Sequence, residues 1–271
     1  MQTDPSQSLY YQIQGEGFPL LLLHGFTGSS HNWQHILPDL SRHHRVLVPD
    51  LIGHGRSPVP ADYRRYSMEQ AVDDLLALLD AQGIERFDLL GYSMGGRVAL
   101  HLALAAPERV RLLVLESASP GIDDPAEREA RRASDNALAE RIEREGIEWF
   151  SDFWANQPLF ASQRSLPAEL QQQIRQQRLS QRPQGLANSL RGMGAGQQRS
   201  LWPELARLDM PVLLIAGMLD AKYVTISQRM ASVLPHAKLR IVPGAGHTVH
   251  MEQAALYCQI VNAFFAAHER L

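Results

Sequence analysis

A serine, an aspartate and a histidine, in that chain order, carry the strongest signal for chemistry in this sequence. Ser93 lies in Gly91-Tyr92-Ser93-Met94-Gly95. This matches the G-x-S-x-G pattern of a sharp strand-to-helix turn that exposes a nucleophilic hydroxyl. Small residues at both ends let neighbouring backbone pass close to the turn. The pentapeptide alone also fits a glycine turn with an incidental serine. The apolar run Phe87–Leu90 before it and the helical pattern Arg97–Ala106 after it favour the nucleophile. Asp220 follows the run Val212–Ala216, and His247 follows the run Leu239–Val242. In a triad of this order the acid orients the imidazole and the imidazole takes the serine proton. His24 and His54 come too early in the chain to be the base. His250 reads as a satisfied polar residue at a helix start, and Asp50 and Asp209 read as turn or loop residues.

The segment His24-Gly25-Phe26-Thr27-Gly28 follows the run Leu20–Leu23. On this spacing the main-chain N–H groups of Phe26 and Met94 converge on one oxygen, an oxyanion hole. The Phe26 side chain is free to line the pocket at the same time. Asp50–Ser57 reads as a structural turn.

These residues need a scaffold that delivers them to one edge. Six short apolar runs are strand candidates: Leu20–Leu23, Val46–Val48, Phe87–Leu90, Leu112–Leu115, Val212–Ala216 and Leu239–Val242. Runs apolar on both faces suit a buried parallel sheet. Helical patterns lie between them, at Met68–Ala81, Arg97–Ala106, Val224–Leu234 and Met251–Ala267. The alternation predicts an α/β fold with a doubly wound, mostly parallel sheet. Ser8–Gly15 reads as an added edge strand. From 122 to 200 no strand candidate occurs, and the segment is helical and rich in Arg, Glu and Gln. The expected organisation is a core of 1–121 and 201–271 with a helical cap, 122–200, inserted between two late strands. A cap there would cover the carboxyl ends of the strands, where open α/β sheets bind ligands.

Composition narrows the class. The chain has 271 residues, 45% hydrophobic and 20% charged, which suits a globular core and excludes disordered, collagenous and coiled-coil chains. Its net charge of −3 offers no global field for nucleic acid. One cysteine, Cys258, excludes an intramolecular disulfide or a multi-cysteine metal site. No metal-ligand spacing is visible. No apolar run approaches the roughly 20 residues that span a bilayer. The polar start Met1–Ser8 does not read as a signal peptide, so a cytoplasmic setting and a monomer are the default expectations. The 26 cations include only two lysines, Lys222 and Lys238. Codon bias accounts for such a swap; so does a need for the bidentate forks that arginine alone supplies.

At the level of motifs the chain resembles the α/β-hydrolase superfamily over nearly its whole length, through HGFTG, DLIGHGRS, GYSMGG, the late Asp220 and GAGH. A narrower resemblance is to the 2-succinyl-6-hydroxy-2,4-cyclohexadiene-1-carboxylate synthases. It rests on GYSMGGR, ESASPG (Glu116–Gly121), RR-x-SD (Arg131–Asp135), FW-x-x-x-PLF-x-SQ (Phe153–Gln163), LRGMGAGQQ (Leu190–Gln198) and GAGHTVHMEQ (Gly244–Gln253). The cap motifs are its specific part.

That resemblance implies a lyase that eliminates pyruvate from 2-succinyl-5-enolpyruvyl-6-hydroxy-3-cyclohexene-1-carboxylate, a small polycarboxylate, without metal or organic cofactor. It places the triad on Ser93, Asp220 and His247 and the oxyanion amides on Phe26 and Met94. It puts substrate-binding arginines at Arg97, Arg131 and Arg178, with Tyr92, Trp154 and Phe160 as lining. Arg128 and Arg132 are alternatives to Arg131, and Arg175 and Arg182 to Arg178. Arg97 also admits an internal salt bridge with a carboxylate such as Glu116, and Trp154 and Phe160 admit plain cap packing. A serine-triad hydrolase, an esterase or a carbon–carbon bond hydrolase, is the rival reading. One charge asymmetry favours the lyase: 122–152 holds five Arg and ten acids, whereas 153–200 holds six Arg and one acid, Glu169. The expected picture is a cationic lid above Ser93.

Overall fold

The computed structural model describes residues 8–269; Met1–Ser8, apart from Ser8, lies outside the described residues. The apolar runs form β2 (Phe18–Leu23), β3 (His44–Pro49), β4 (Phe87–Tyr92), β5 (Val110–Glu116), β6 (Val212–Gly217) and β7 (Ala237–Val242), preceded by the short β1 (Tyr11–Gln14). They make one seven-stranded sheet in the order β1-β3-β2-β4-β5-β6-β7. Every neighbouring pair is parallel except β1 with β3. Successive strand residues feed opposite faces, which is why the runs are apolar throughout. Leu21, Leu23 and Leu89 join one buried cluster, and Leu20, Leu22 and Leu90 join the other. β7 closes one edge. It alternates exposed and half-buried residues, and Lys238 and Arg240 on it discourage pairing with another chain.

The helices around the sheet are α1 (Leu37–Leu40), α2 (Met68–Ala81), α3 (Met94–Ala105), α7 (Ala221–Ala231), α8 (Val249–Glu252) and α9 (Ala254–Ala266). Ser67 caps α2 by accepting the Gln70 N–H, and the helix buries Val72, Leu75 and Leu79 on one stripe. Several helix boundaries differ from the periodicity. α3 starts at Met94 rather than Arg97, because Gly95 and Gly96 carry no apolar signal although the chain is already helical. α7 starts at Ala221, where the Asp220 side chain accepts the Tyr223 N–H and caps it. The expected helix Met251–Ala267 is divided at Gln253, whose non-helical backbone (φ −139°, ψ 50°) separates α8 from α9.

Between β5 and β6 lie α4 (Pro125–Ala155), α5 (Ala168–Leu179) and α6 (Pro183–Met193). Gly146, at φ 82°, interrupts α4. A small apolar cluster of Ala139, Ile142, Phe150, Leu186, Ala187 and Leu190 holds α4 and α6 together. Asn188 ties α6 to the sheet side by donating to the carbonyls of Pro60 and Ala61. No described helix is long and apolar enough to cross a membrane.

His101 is, with Arg97, one of two polar side chains on the otherwise apolar helix α3, and its buried Nε2 has no protein partner. Burial, aided by Arg199, pushes its pKa down to about 4. In the unfolded chain it titrates near its ordinary value of about 6.5. Its contribution to stability is therefore complete above pH 6.5 and is lost as the pH falls toward 4, by up to about 1.4 kcal/mol per pH unit. Thermal unfolding at pH 7.5 and pH 5 checks this: His101→Leu narrows the drop in melting temperature between the two.

Candidate active site

The register of the sheet brings the reactive loops to one height. Leu23 of β2 pairs with Gly91 of β4, Tyr92 with Glu116 of β5, and Gly217 of β6 with Val242 of β7. Ser93, Asp220 and His247 all leave the carboxyl ends of these strands. Ser93 has φ 51° and ψ −109°. Such a conformation costs about 1–3 kcal/mol and persists only where the surroundings over-determine it. Here its N–H donates to Glu116 O at 2.8 Å and its carbonyl accepts the Arg97 N–H at 3.1 Å. A Cβ on Gly91 would stand 2.5 Å from Gly95 O, and one on Gly95 would meet Leu23 and His24 carbonyls. Only glycine lets the turn pass so close to its neighbours.

The side chains of the three predicted residues are linked. His247 Nδ1–H donates to Asp220 Oδ2 at 2.7 Å, which leaves Nε2 to accept the Ser93 hydroxyl at 2.9 Å. Asp220 and His247 are buried, so solvent does not compete for the bond between them. Met94 is the first residue of α3, so its N–H has no intrahelical acceptor and stands at the positive end of the helix. Phe26 lies three residues beyond Leu23 as Met94 lies three beyond Gly91, in loops leaving adjacent strands. His24 stiffens the Phe26 loop: its Nε2 accepts the Leu51 N–H and its Nδ1–H donates to Gly25 O.

The predicted lining residues converge on this centre. Aromatic rings run from Phe26 to Trp154 (5.3 Å between centroids), Trp154 to Phe160 (5.8 Å) and Phe160 to His247 (5.9 Å). Phe26 and Trp154 also pack against the small helical cluster, so cap packing and pocket lining coincide. Arg178 is buried on α5, with its guanidinium 5.3 Å from the Phe160 ring. It opens a polar chain. Its Nη2 donates to Gln163 Oε1 (3.1 Å), Gln163 Nε2 donates to Thr248 Oγ1 (2.9 Å), and Thr248 meets the Tyr92 hydroxyl (3.1 Å). Burial raises the pKa of Tyr92 above the usual phenol range, so it stays neutral.

Arg97 does not pair with Glu116. Its Nη1 donates to the Met193 carbonyl and to Gln198 Oε1, both neutral. Burial lowers the pKa of Arg97 to about 10 and that of Arg178 to about 10, so both stay charged at neutral pH. Arg131 is partly exposed and pairs with the buried Asp135 at 2.8 Å, and its charge still reaches Arg97 and Tyr223. Its alternatives point elsewhere: Arg132 pairs with Glu129, and Arg128 donates to Ile122 O. Arg175 pairs with Asp152, and Arg182 donates to the carbonyls of Gly55 and Ser57.

The expected cationic lid is therefore half neutralised. Like Arg175, Arg191 and Arg199 meet acids, Glu143 and Glu204, while Arg164 is exposed and Arg178 reaches the pocket. Sequence reasoning missed several residues. Tyr223 packs its ring on His247 at 4.6 Å. Gln163, Gln181 and Gln198 are buried connectors. In the sequence they are indistinguishable from the solvated glutamines of α5, and only their depth sets them apart. A groove of about 790 Å³ runs along α5 and shares Ile174, Gln177 and Met251 with the space beside Arg178.

Comparison with known proteins agrees with this geometry. Residues 19–254 match the family model described as alpha/beta hydrolase fold. The chain is 42% identical over 269 residues to a protein of Bacillus subtilis (strain 168) named putative 2-succinyl-6-hydroxy-2,4-cyclohexadiene-1-carboxylate synthase, covering 97% of each chain. It superimposes on the structure of MenH from S. aureus with a TM-score of 0.93 and 36% identity, covering 96% of this chain and 99% of that one. A thermophilic esterase from Thermogutta terrifontis, solved with malate bound, follows at a TM-score of 0.84 and 30% identity, over 96% and 94% of the two chains. By fold, by sequence over nearly its full length and by the structure it superimposes on, the chain belongs to the α/β hydrolase fold family and, within it, to the 2-succinyl-6-hydroxy-2,4-cyclohexadiene-1-carboxylate synthases.

Proposed function

We propose that this protein is a lyase that eliminates pyruvate from 2-succinyl-5-enolpyruvyl-6-hydroxy-3-cyclohexene-1-carboxylate, acting as a cytoplasmic monomer without a cofactor. The observation that carries the reading is a pair of guanidinium groups near a hydrogen-bonded Ser93–His247–Asp220 array, the half-buried Arg97 and the buried Arg178, both held by neutral acceptors. A buried cation whose contacts are all neutral is costly unless an anion completes it. A substrate with three carboxylates supplies that anion, whereas a simple ester does not. The helical segment 122–200 serves as the cap that brings Arg131, Trp154, Phe160 and Arg178 over the serine.

In this mechanism His247 accepts the Ser93 proton, and the serine oxygen removes the proton on the ring carbon alpha to the succinyl ketone. The electrons move into the ketone, and the resulting enolate oxygen is held by the Phe26 and Met94 amides. As the enolate collapses, a double bond forms in the ring and the existing one shifts. The carbon–oxygen bond to the enolpyruvyl group then breaks, leaving the conjugated cyclohexadiene. Protonated His247 supplies the proton that converts enolpyruvate to pyruvate. Fixing three carboxylates aligns the acidic C–H with the serine oxygen, a positioning effect.

Pyruvate release from the enolpyruvyl substrate, followed by coupled reduction to lactate, tests this. The expected result is one pyruvate per substrate consumed, with simple esters turning over slowly. The esterase neighbour keeps a second reading in view, hydrolysis through an acyl-serine. Fast ester turnover with no pyruvate would establish that reading instead.

A further inference from the structure

Glu116 and His250 take no part in the steps above, yet they join the two loops on whose spacing those steps depend. Glu116 ends β5, and both side chains are completely buried. The Glu116 carbonyl accepts the Ser93 N–H at 2.8 Å, at the strained residue of the turn. Its carboxylate accepts the His250 main-chain N–H at 3.0 Å and the His250 Nδ1–H at 2.9 Å from each oxygen. His250 lies three residues beyond His247. The main chain on either side of His247 is clamped again by Glu252, which accepts the N–H groups of Gly246 (2.7 Å) and Thr248 (3.1 Å). Trp33 and Tyr92 enclose the His250 ring, with centroids 4.6 and 4.8 Å away.

A buried carboxylate–imidazole pair is a poor way to gain stability, because desolvation of its polar groups offsets the attraction and well-packed apolar residues do as well or better. What the pair supplies is direction. Main-chain and ring bonds to one carboxylate fix both the position and the rotation of the loop that carries the base. The same residue, through its carbonyl, fixes the turn that carries the nucleophile. We propose that Glu116 and His250 form a positioning pair that sets the spacing of Ser93 and His247, outside the triad and out of contact with substrate. This rests on the reading of Ser93 and His247 as the working pair.

The test uses the full chain and the variants Glu116→Gln, His250→Ala and His250→Asn. Asparagine keeps an N–H donor near the position of the ring Nδ1. Two readouts are compared: kcat and KM for pyruvate release, and the rate at which diethyl p-nitrophenyl phosphate labels Ser93. In the labelling the serine oxygen displaces p-nitrophenolate at phosphorus and the serine proton passes to His247; the reagent is neutral and needs no arginine. Misplacement of reacting groups on the order of 1 Å costs up to about a hundredfold. The expected result is that Glu116→Gln and His250→Ala lower kcat and labelling together by about tenfold to a hundredfold, with KM within about twofold of the parent, and that His250→Asn restores most of both. Near-ultraviolet circular dichroism identifies folded variants; if His250→Ala does not fold, Glu116→Gln and His250→Asn decide. Folded variants labelled at the parent rate overturn the proposal, as does a KM effect without a labelling effect. A parent chain that is not labelled overturns the Ser93–His247 reading as well, whereas a labelled parent with indifferent variants overturns this proposal alone.

Discussion

Ser93→Ala is expected to lower kcat for pyruvate release by about 10²–10⁴-fold, the range of a positioned general base. The substitution removes one oxygen from a turn whose strain is held by main-chain bonds to Glu116 and Arg97, so the fold remains. The arginines and the aromatic wall are untouched, and substrate binding, measured as KM or by displacement of a product analogue, changes little. The loss therefore falls on kcat. A variant that keeps the parent rate excludes the serine relay and leaves His247 to act on the substrate directly. In that case His247→Ala alone abolishes turnover.

Arg97→Ala is the second large effect, and its value lies in comparing two substrates. Removing one partner of a buried, hydrogen-bonded charge pair costs about 2–5 kcal/mol, or roughly 30- to several-thousand-fold in kcat/KM. That loss is expected for the enolpyruvyl substrate. A neutral p-nitrophenyl ester makes no demand on the guanidinium and is expected to lose little. The contrast matters because Arg97 also holds Met193 O and Gln198 Oε1, a structural task. If structure were its only role, both substrates would lose activity equally. Arg97→Lys refines the comparison: it restores the charge but not the planar fork, so a partial recovery marks bidentate recognition of a carboxylate.

Much of the core was legible because its signals are local. Strands apolar on both faces, helices with one apolar stripe and glycines at the elbow each arise from neighbouring residues. The boundaries that moved did so for reasons outside hydrophobic periodicity. At Met94 two glycines masked the start of a helix, and at Gln253 a turn in backbone direction divided one pattern into two. The triad positions were readable because parallel strands in register carry their carboxyl ends to one edge, so a residue's place after its strand predicts its place in space.

The helical segment was much less legible. Counting charges from 153 to 200 pointed to a cationic lid. The structure pairs Arg175 with Asp152 and Arg191 with Glu143, acids from the preceding segment that a count by segment had set apart. Charge along a helix records composition, and only packing decides which charges meet. Likewise Gln163 and Gln198 share the residue type of the exposed glutamines on α5, and their role follows from burial alone.

By itself, then, the sequence determined the order of strands and helices, the elbow around Ser93 and the candidates Asp220 and His247, because each is encoded within a few residues. The tertiary structure decided which arginines beside the pocket keep only neutral partners, Arg97 and Arg178, and which are consumed by acids. It also decided that Glu116 meets His250 rather than Arg97. Apart from local pairs such as Arg131–Asp135 and Arg199–Glu204, these outcomes depend on contacts between residues tens to more than a hundred positions apart, where distance in space and exclusion of water, not proximity along the chain, set the energies.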